Sequence, residues 1–351
     1  MLRFRSMQRK GKVVSMDLDV LIGARLAVGF PGTEATPEII QGLRRIHAQS
    51  LVVFSRNFDS PDQFRHLLHR LEEALERRLW VMADHEGGRT VRFRSGVTRF
   101  PDALTVGQTQ PTQAVEHQGM VEAEELKRLG VRINLAPCVD VLVPGSDPVI
   151  GERSYGTDPA RVARLAAARI RGLQSHGVAA CAKHFPGLGA VPCDPHRILP
   201  TIALGWQEME EVHLPPFEAA IQAGTAMVMS SHVCYPGLGE PAHLPATFSR
   251  RLIHELLRTR MGFRGLILTD DLEMGALREL GTMGEAAVRS TEAGHDLLLI
   301  CSDLAAAQEA FQALRDAYRD GRLDRAELEA SVARVSKLAD GLLAGGTGWV
   351  N

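Results

Sequence analysis

Eight short, apolar, β-rich runs recur along the chain with amphipathic stretches between them, and this alternation limits the possible folds more than any other feature. The runs cover residues 24–30, 51–54, 79–83, 132–136, 179–184, 226–230, 265–269 and 296–301. Helical periodicity fills about 36–48, 61–77, 112–129, 158–176, 207–223, 248–261, 283–293 and 304–319, and a last helix covers about 325–343. Strands that alternate with helices make a parallel sheet, because each crossover returns the chain to the same end of the sheet before the next strand starts. Eight such units close into a (β/α)₈ barrel of ~250 residues, longer with insertions. The excess in this chain of 351 residues falls between the third and fourth runs and after the fifth. A doubly wound sheet is the rival, but it wants a GxGxxG turn after the first strand, and the glycines at 29 and 32 are too sparse for one. The expected fold is therefore α/β, a single TIM-type (β/α)₈ barrel over residues 21–345 with C-terminal helices. Residues 1–20 are expected to form a ragged N-terminal extension, since Met7 and Met16 offer alternative starts.

Composition excludes several classes. A net charge of −2 gives no ground for nucleic acid or anionic lipid as partner. No run is long and apolar enough to span a membrane, and the basic N-terminus lacks a signal-peptide core, so a cytoplasmic location is expected. The five cysteines are scattered without a CxxC pair, which suits reduced thiols.

The barrel expectation can be tested on the sequence itself. Active sites of this fold lie at the carboxyl ends of the strands. Polar residues that would be costly in a core should gather just past each apolar run. Run 3 ends in Asp84 and leads into HEGGRTVRF. The region after run 4 reaches GERSY with Arg153. Run 5 ends in Lys183-His184, run 6 in Ser231-His232, and run 7 in Asp270-Asp271.

Residues 183–200, KHFPGLGAVPCDPHRILP, carry the most specific chemistry. A Lys-His pair leaves a strand, and a Gly/Pro-rich loop brings Asp194 and His196 about ten residues later. A carboxylate two residues from an imidazole can fix its tautomer and favour its charged form, which makes a general acid usable near neutral pH. Asp270 follows the run LILT, so its carboxylate is expected at the barrel mouth as a nucleophile for an anomeric carbon. Asp270 or Asp271 as the N-cap of the next helix is the alternative. Asp84 and Arg92 flank a Gly-Gly turn that permits close backbone approach to a ligand; they suit vicinal hydroxyls, or else form a surface ion pair. Arg153 has a solvated-surface alternative. His232 is as well explained by a bracing role as by ligand contact.

These segments together resemble family 3 glycoside hydrolases, more narrowly the bacterial β-N-acetylglucosaminidases of peptidoglycan recycling. The matching stretches are ADHEGGRTVRF (83–93), INLAPCVDV (133–141), VIGERSYGTD (149–158), CAKHFPGLGAVPCDPHRILP (181–200), MSSHVCYP (229–236) and PATFSRRLIHELLRTRMGFRGLILTDDLEMGA (245–276). The resemblance implies that Asp270 is the nucleophile and His196 the acid/base, with Asp194 as its partner. It makes Asp84, Arg92, Arg153, Lys183 and His184 the binding residues for the nonreducing-end sugar. It implies a small carbohydrate substrate, an N-acetylglucosamine-containing muropeptide, with no metal or organic cofactor required; a monomer is expected, although the sequence does not fix the oligomeric state. The sparse aromatic content, 5%, fits a compact pocket for one or two sugar units. Two departures stand out. Leu188 replaces the second histidine of the family's KHFPGHG, and Pro195 replaces the serine of its DSH. Rival functions are a phosphorylase or a β-glucosidase of the same family, a noncatalytic sugar-binding protein, and a metal-dependent barrel hydrolase built on Asp84, His184, His232 and Asp270.

Overall fold

In the computed structural model, which describes residues 17–344, all eight runs become strands of one closed parallel barrel in chain order. They are β1 (Leu26–Val28), β2 (Ser50–Val53), β3 (Trp80–Ala83), β4 (Ile133–Asn134), β5 (Ala179–Phe185), β6 (Met227–Ser230), β7 (Leu266–Asp271) and β8 (Leu297–Ile300). The fold is the single (β/α)₈ barrel expected from the alternation. Side chains alternate across each strand. Ala27, Val52, Met82, Cys181, Met229, Leu268 and Leu299 fill the lumen, while Val28, Val53, Val81, Ala182, Val228 and Ile300 pack outward on the helices. Val335, Leu338 and Leu342 of the last helix, Arg325–Ala344, join the lumen cluster, so this helix closes the amino-terminal end of the barrel.

Helix starts follow local chemistry. Thr36 and Ser60 cap helices that open on Pro37 and Pro61, where the missing N–H costs nothing. Thr282 and Glu285 form a reciprocal capping box at the start of Met283–Ala293. Two short helices were not expected, Leu18–Gly23 and Ala103–Thr109, each capped by an aspartate that accepts a backbone N–H. The helix expected over 207–223 is broken. Trp206–Glu208 passes into a π-helical turn, Met209–His213, before Pro215 starts a new helix to Gln222, because proline cannot continue the ladder of the preceding turn. Residues 1–16 of the expected extension, and residue 345 of the expected barrel, lie outside the described residues. Among the described residues no helix is long and apolar enough to cross a membrane.

Two irregularities bear on function. The β5–β6 register shifts between Lys183 and Phe185, and the β7–β8 register shifts between Leu268 and Asp271. Each places an extra residue at the carboxyl end of its strand, where a bulge redirects side chains.

Candidate active site

Parity builds the floor of the site. Asp84 stands two residues beyond lumen-facing Met82, and Lys183 two beyond Cys181, so both side chains rise to the carboxyl mouth. Asp84 Oδ1 accepts from Lys183 Nζ at 2.7 Å, and Oδ2 accepts from Arg92 at 2.9 Å. Lys183 Nζ also lies 2.7 Å from Glu86 Oε1. Arg153 donates Nε and Nη2 to the two Glu86 oxygens, each at 2.9 Å, in the bidentate geometry that suits guanidinium and carboxylate.

The bulge at His184 turns this residue into the same cluster as Lys183, although neighbours in a regular strand face opposite sides. His184 Nε2 lies 3.3 Å from Arg153 Nη2, and its Nδ1 lies 2.8 Å from Asp140 Oδ2. With arginine as the donor on one side, the ring proton belongs on Nδ1, facing the carboxylate. The chain beyond β4 stays beside β5, with the Val139 N–H donating to the Lys183 carbonyl at 2.8 Å, and this sets Asp140 against His184. Asp140 also accepts the backbone N–H groups of His184 (3.1 Å) and Leu188 (2.6 Å).

Electrostatics keep the cluster charged. Burial works against ionisation of Asp84, but Lys183 and Arg92 outweigh it and hold the carboxyl well below its usual range. Burial is likewise outweighed at Glu86, where Arg153 and Lys183 bring the carboxyl down to about 2. Burial alone would neutralise Lys183, yet Asp84 and Glu86 raise its pKa above the usual lysine value.

Asp270 lies at the carboxyl end of β7, partly exposed at the mouth. Its Oδ1 accepts the Asp271 N–H at 2.8 Å. Burial opposes its charge, but the His184 and His232 imidazoles, the Asp271 N–H and Lys183 more than compensate, so its pKa is depressed. His232 is buried and braced between the Thr247 hydroxyl (2.6 Å) and the Asp271 carbonyl (2.9 Å), which holds the peptide next to Asp270. Asp271 does not cap a helix; its carboxylate accepts the Glu273 and Cys301 N–H groups and ties β7 to the end of β8.

The loop after β5 carries the remaining pair. His196 Nδ1 is 2.7 Å from Asp194 Oδ1, which also accepts the His196 N–H at 2.9 Å. The His196 side chain is 61% exposed, with its Nδ1 edge turned to Asp194. Leu188 packs in the core at 4% exposure, and its N–H serves Asp140. Pro195 offers its carbonyl to the Ala276 N–H at 3.0 Å, so it anchors the loop.

The structure thus gathers Asp84, Arg92, Arg153, Lys183, His184 and Asp270 at one mouth and sets His196 and Asp194 on a loop docked beside β7. Two members of the network were missed in the sequence. Glu86 is two residues from Asp84, hence on the same side of an extended chain. Asp140 is a lone carboxylate inside the apolar stretch INLAPCVDVLV, and a charge in such a setting needs a buried partner. Among the described residues Cys138, Asp140 and His184 come within 4.8 Å of one another. Their donor atoms are engaged mutually, since the Cys138 thiol donates to Asp140 at 3.2 Å. Of the four residues weighed for a metal, Asp84 is held by Lys183 and Arg92, and His232 by Thr247 and the Asp271 carbonyl.

Fold and mouth together define a (β/α)₈ barrel with a cluster of paired charged groups at the carboxyl ends of its strands, the place where this fold carries its active sites. The glycosyl hydrolase family 3 N-terminal domain matches residues 18–338. A beta-hexosaminidase of Nitrosomonas eutropha is 36% identical over 285 residues, 80% of each chain. A solved family 3 beta-N-acetylglucosaminidase from Paenibacillus sp. is similar with a TM-score of 0.90 and 35% identity; the match covers 94% of this chain and 63% of that longer one. NagZ from Neisseria gonorrhoeae, solved in complex with N-trifluoroacetyl-D-glucosamine, has a TM-score of 0.75 and 31% identity, covering 90% of this chain and 98% of that one. The chain belongs to glycosyl hydrolase family 3 and is a glycoside hydrolase of the β-N-acetylhexosaminidase type.

Proposed function

We propose that the chain is a retaining exo-β-N-acetylglucosaminidase acting as a cytoplasmic monomer on muropeptides that end in β-linked N-acetylglucosamine. Asp84, Arg92, Arg153, Lys183 and His184 hold the hydroxyls of the terminal sugar. The Asp270 carboxylate attacks the anomeric carbon as the bond to the aglycone oxygen breaks, and protonated His196 gives that oxygen its proton. The covalent glycosyl-Asp270 is then hydrolysed. Neutral His196 takes a proton from water, the hydroxide oxygen bonds to the anomeric carbon, and the Asp270 carboxylate departs. Asp194 orients the imidazole throughout. The exposed dyad reaches the sugar by loop approach, which also excludes water.

One observation carries this reading: Asp270 ends β7 at the barrel mouth, its pKa held down against burial by the His184 and His232 imidazoles, the Asp271 N–H and Lys183, and among the described residues its hydrogen bond comes from a backbone N–H alone. The test is hydrolysis of 4-nitrophenyl β-N-acetylglucosaminide with detection of the first-formed anomer. Asp270→Ala should lose nearly all activity. His196→Ala should lose roughly 10²–10⁴-fold on natural glycosides and less with nitrophenol, which needs little protonation. Undiminished turnover by Asp270→Ala, or an inverted product, would remove the mechanism. An imidazole repels phosphate less than a carboxylate would, so phosphorolysis is the second reading, and sugar phosphate formed in phosphate buffer would favour it.

A further inference from the structure

At the end of the barrel opposite the catalytic mouth, a cavity of about 170 Å³ lies beneath the helix Arg325–Ala344. Arg25, from just before β1, lines it together with Arg250, Arg258, Arg334, His254 and Thr291. The charges there do not balance. Asp296 is buried and shared by Arg258 at 2.5 Å and Arg334 at 2.8 Å, and it also accepts the Ser331 hydroxyl at 3.0 Å. Glu327 stands 3.8 Å from Arg250, a loose contact. Arg25 is 3% exposed and, among the described residues, meets only uncharged oxygens. These are the Asp296 carbonyl at 3.3 Å, the Tyr318 hydroxyl at 2.5 Å and the His295 carbonyl. Four guanidiniums therefore stand against two carboxylates, Asp296 and the cavity-lining Glu327, and the buried Arg25 is the cation whose uncompensated charge is expensive. Burial lowers the pKa of Arg258, and the neighbouring Arg334 and Arg264 add repulsion against the pull of Asp296.

A second feature is independent of charge. Thr291 is 6% exposed and lines the cavity, yet its hydroxyl has no hydrogen-bond partner among the described residues. A buried hydroxyl without a partner is uncommon, and a ligand oxygen would satisfy it.

We propose that this cavity binds a tetrahedral oxyanion, either free phosphate or the phosphoryl group of a small metabolite. The guanidinium forks match such oxygens, and the Thr291 hydroxyl supplies a further donor. The space is well below the ~300 Å³ at which pockets for drug-sized ligands begin, which suits a small anion. The occupant joins the start of β1, the end of Met283–Ala293 and the helix Arg325–Ala344, and so locks that helix onto the barrel base.

The experiment is thermal unfolding and calorimetric titration of the full chain with inorganic phosphate, against sodium chloride at matched ionic strength. Phosphate should bind at one site and raise the midpoint by roughly 2 °C or more at saturating concentration. Arg250→Ala removes an exposed cation, should weaken phosphate binding about tenfold, and should leave nitrophenyl glycoside hydrolysis unchanged. Thr291→Val should weaken it several-fold; if that variant fails to fold, Arg250→Ala decides alone. Saturating N-acetylglucosamine should not displace the phosphate, which separates this site from the catalytic mouth. Titration with glycerol 2-phosphate distinguishes a phosphoryl ester, if tighter, from free phosphate. No stabilisation beyond chloride, binding undiminished in Arg250→Ala, or displacement by N-acetylglucosamine would each overturn the assignment.

Discussion

The Gly275 N–H donates to the carbonyl oxygen of His196 across 3.1 Å. The next amide, Ala276, donates to the Pro195 carbonyl at 3.0 Å. The loop that carries the dyad is thereby fastened to the segment that leaves β7, five residues after Asp270. A Cβ on residue 275 would fall 2.5 Å from the His196 oxygen and 2.6 Å from that of Arg197, so the approach admits only glycine.

Gly275→Ala should push the two loops apart and misplace His196. A displacement near 1 Å can cost ~10²-fold, so kcat/KM should drop by about 10- to 100-fold while the unfolding midpoint changes little. Wild-type kinetics in this variant would mean that the docking does not position the imidazole.

Glu86→Gln keeps shape but removes the charge shared by Lys183 and Arg153. Breaking a buried pair costs about 3–5 kcal/mol when a charge is stranded; Asp84 remains beside Lys183, so about 2–3 kcal/mol is expected here. KM for the nitrophenyl substrate should rise at least ~10-fold, because both cations lose orientation. Urea denaturation and steady-state kinetics measure the two effects, and an unchanged KM would place Glu86 outside the binding network.

Acid and neutral pH should act with opposite signs. Glu86 lies at about 2 in the fold against 4.5 for an ordinary glutamate, so its contribution is whole above about pH 4.5 and is lost as pH falls towards 2. At Asp271, burial prevails over the N–H groups it accepts, and with the Glu273 and Asp270 charges it lifts the pKa from 3.8 to about 7. The fold binds that proton more tightly than the unfolded chain, so stability declines as pH climbs from about 4 to 7. Denaturation midpoints from about pH 3 to pH 8 should show Glu86→Gln flattening the acid limb and Asp271→Asn flattening the neutral one. A neutral limb unchanged in Asp271→Asn would refute the second assignment.

Asp140→Asn would present an amide group to a nest of N–H donors. The His184 ring and the His184 and Leu188 backbone amides would compete for one carbonyl oxygen. Unsatisfied buried donors cost about 1–3 kcal/mol each, so destabilisation of that order should accompany a marked loss of kcat. The ring proton resonance of His184 would report the change, and a spectrum and rate like wild type would show that Asp140 does not orient the imidazole.

Much of this was legible from residues alone. The β/α alternation gave eight strands because burial on both faces makes each run apolar, and helix periodicity is equally local. The helices over 283–293 and 304–319 fall where periodicity placed them. Strand-end position picked out Asp84, Lys183, His184 and Asp270, since a charge after a buried strand has only the mouth to occupy. Glu86 and Asp140 were harder to see. Their partners lie 67 and 44 residues away, and no local pattern records which strand ends become neighbours.

By itself, the sequence determined the barrel, the order of its strands and the identity of most charged groups at its carboxyl rim, because apolar period and strand-end polarity are properties of short segments. The tertiary structure alone decided how those groups pair. Barrel closure sets the registers that bring Asp140 to His184 and Glu86 to Arg153. The bulges in β5 and β7 redirect side chains at the two strand ends. The fit of Gly275 against His196, and the arginines collected beneath the last helix, arise from contacts between segments far apart in the chain, whose cost and gain exist only once the sheet has closed.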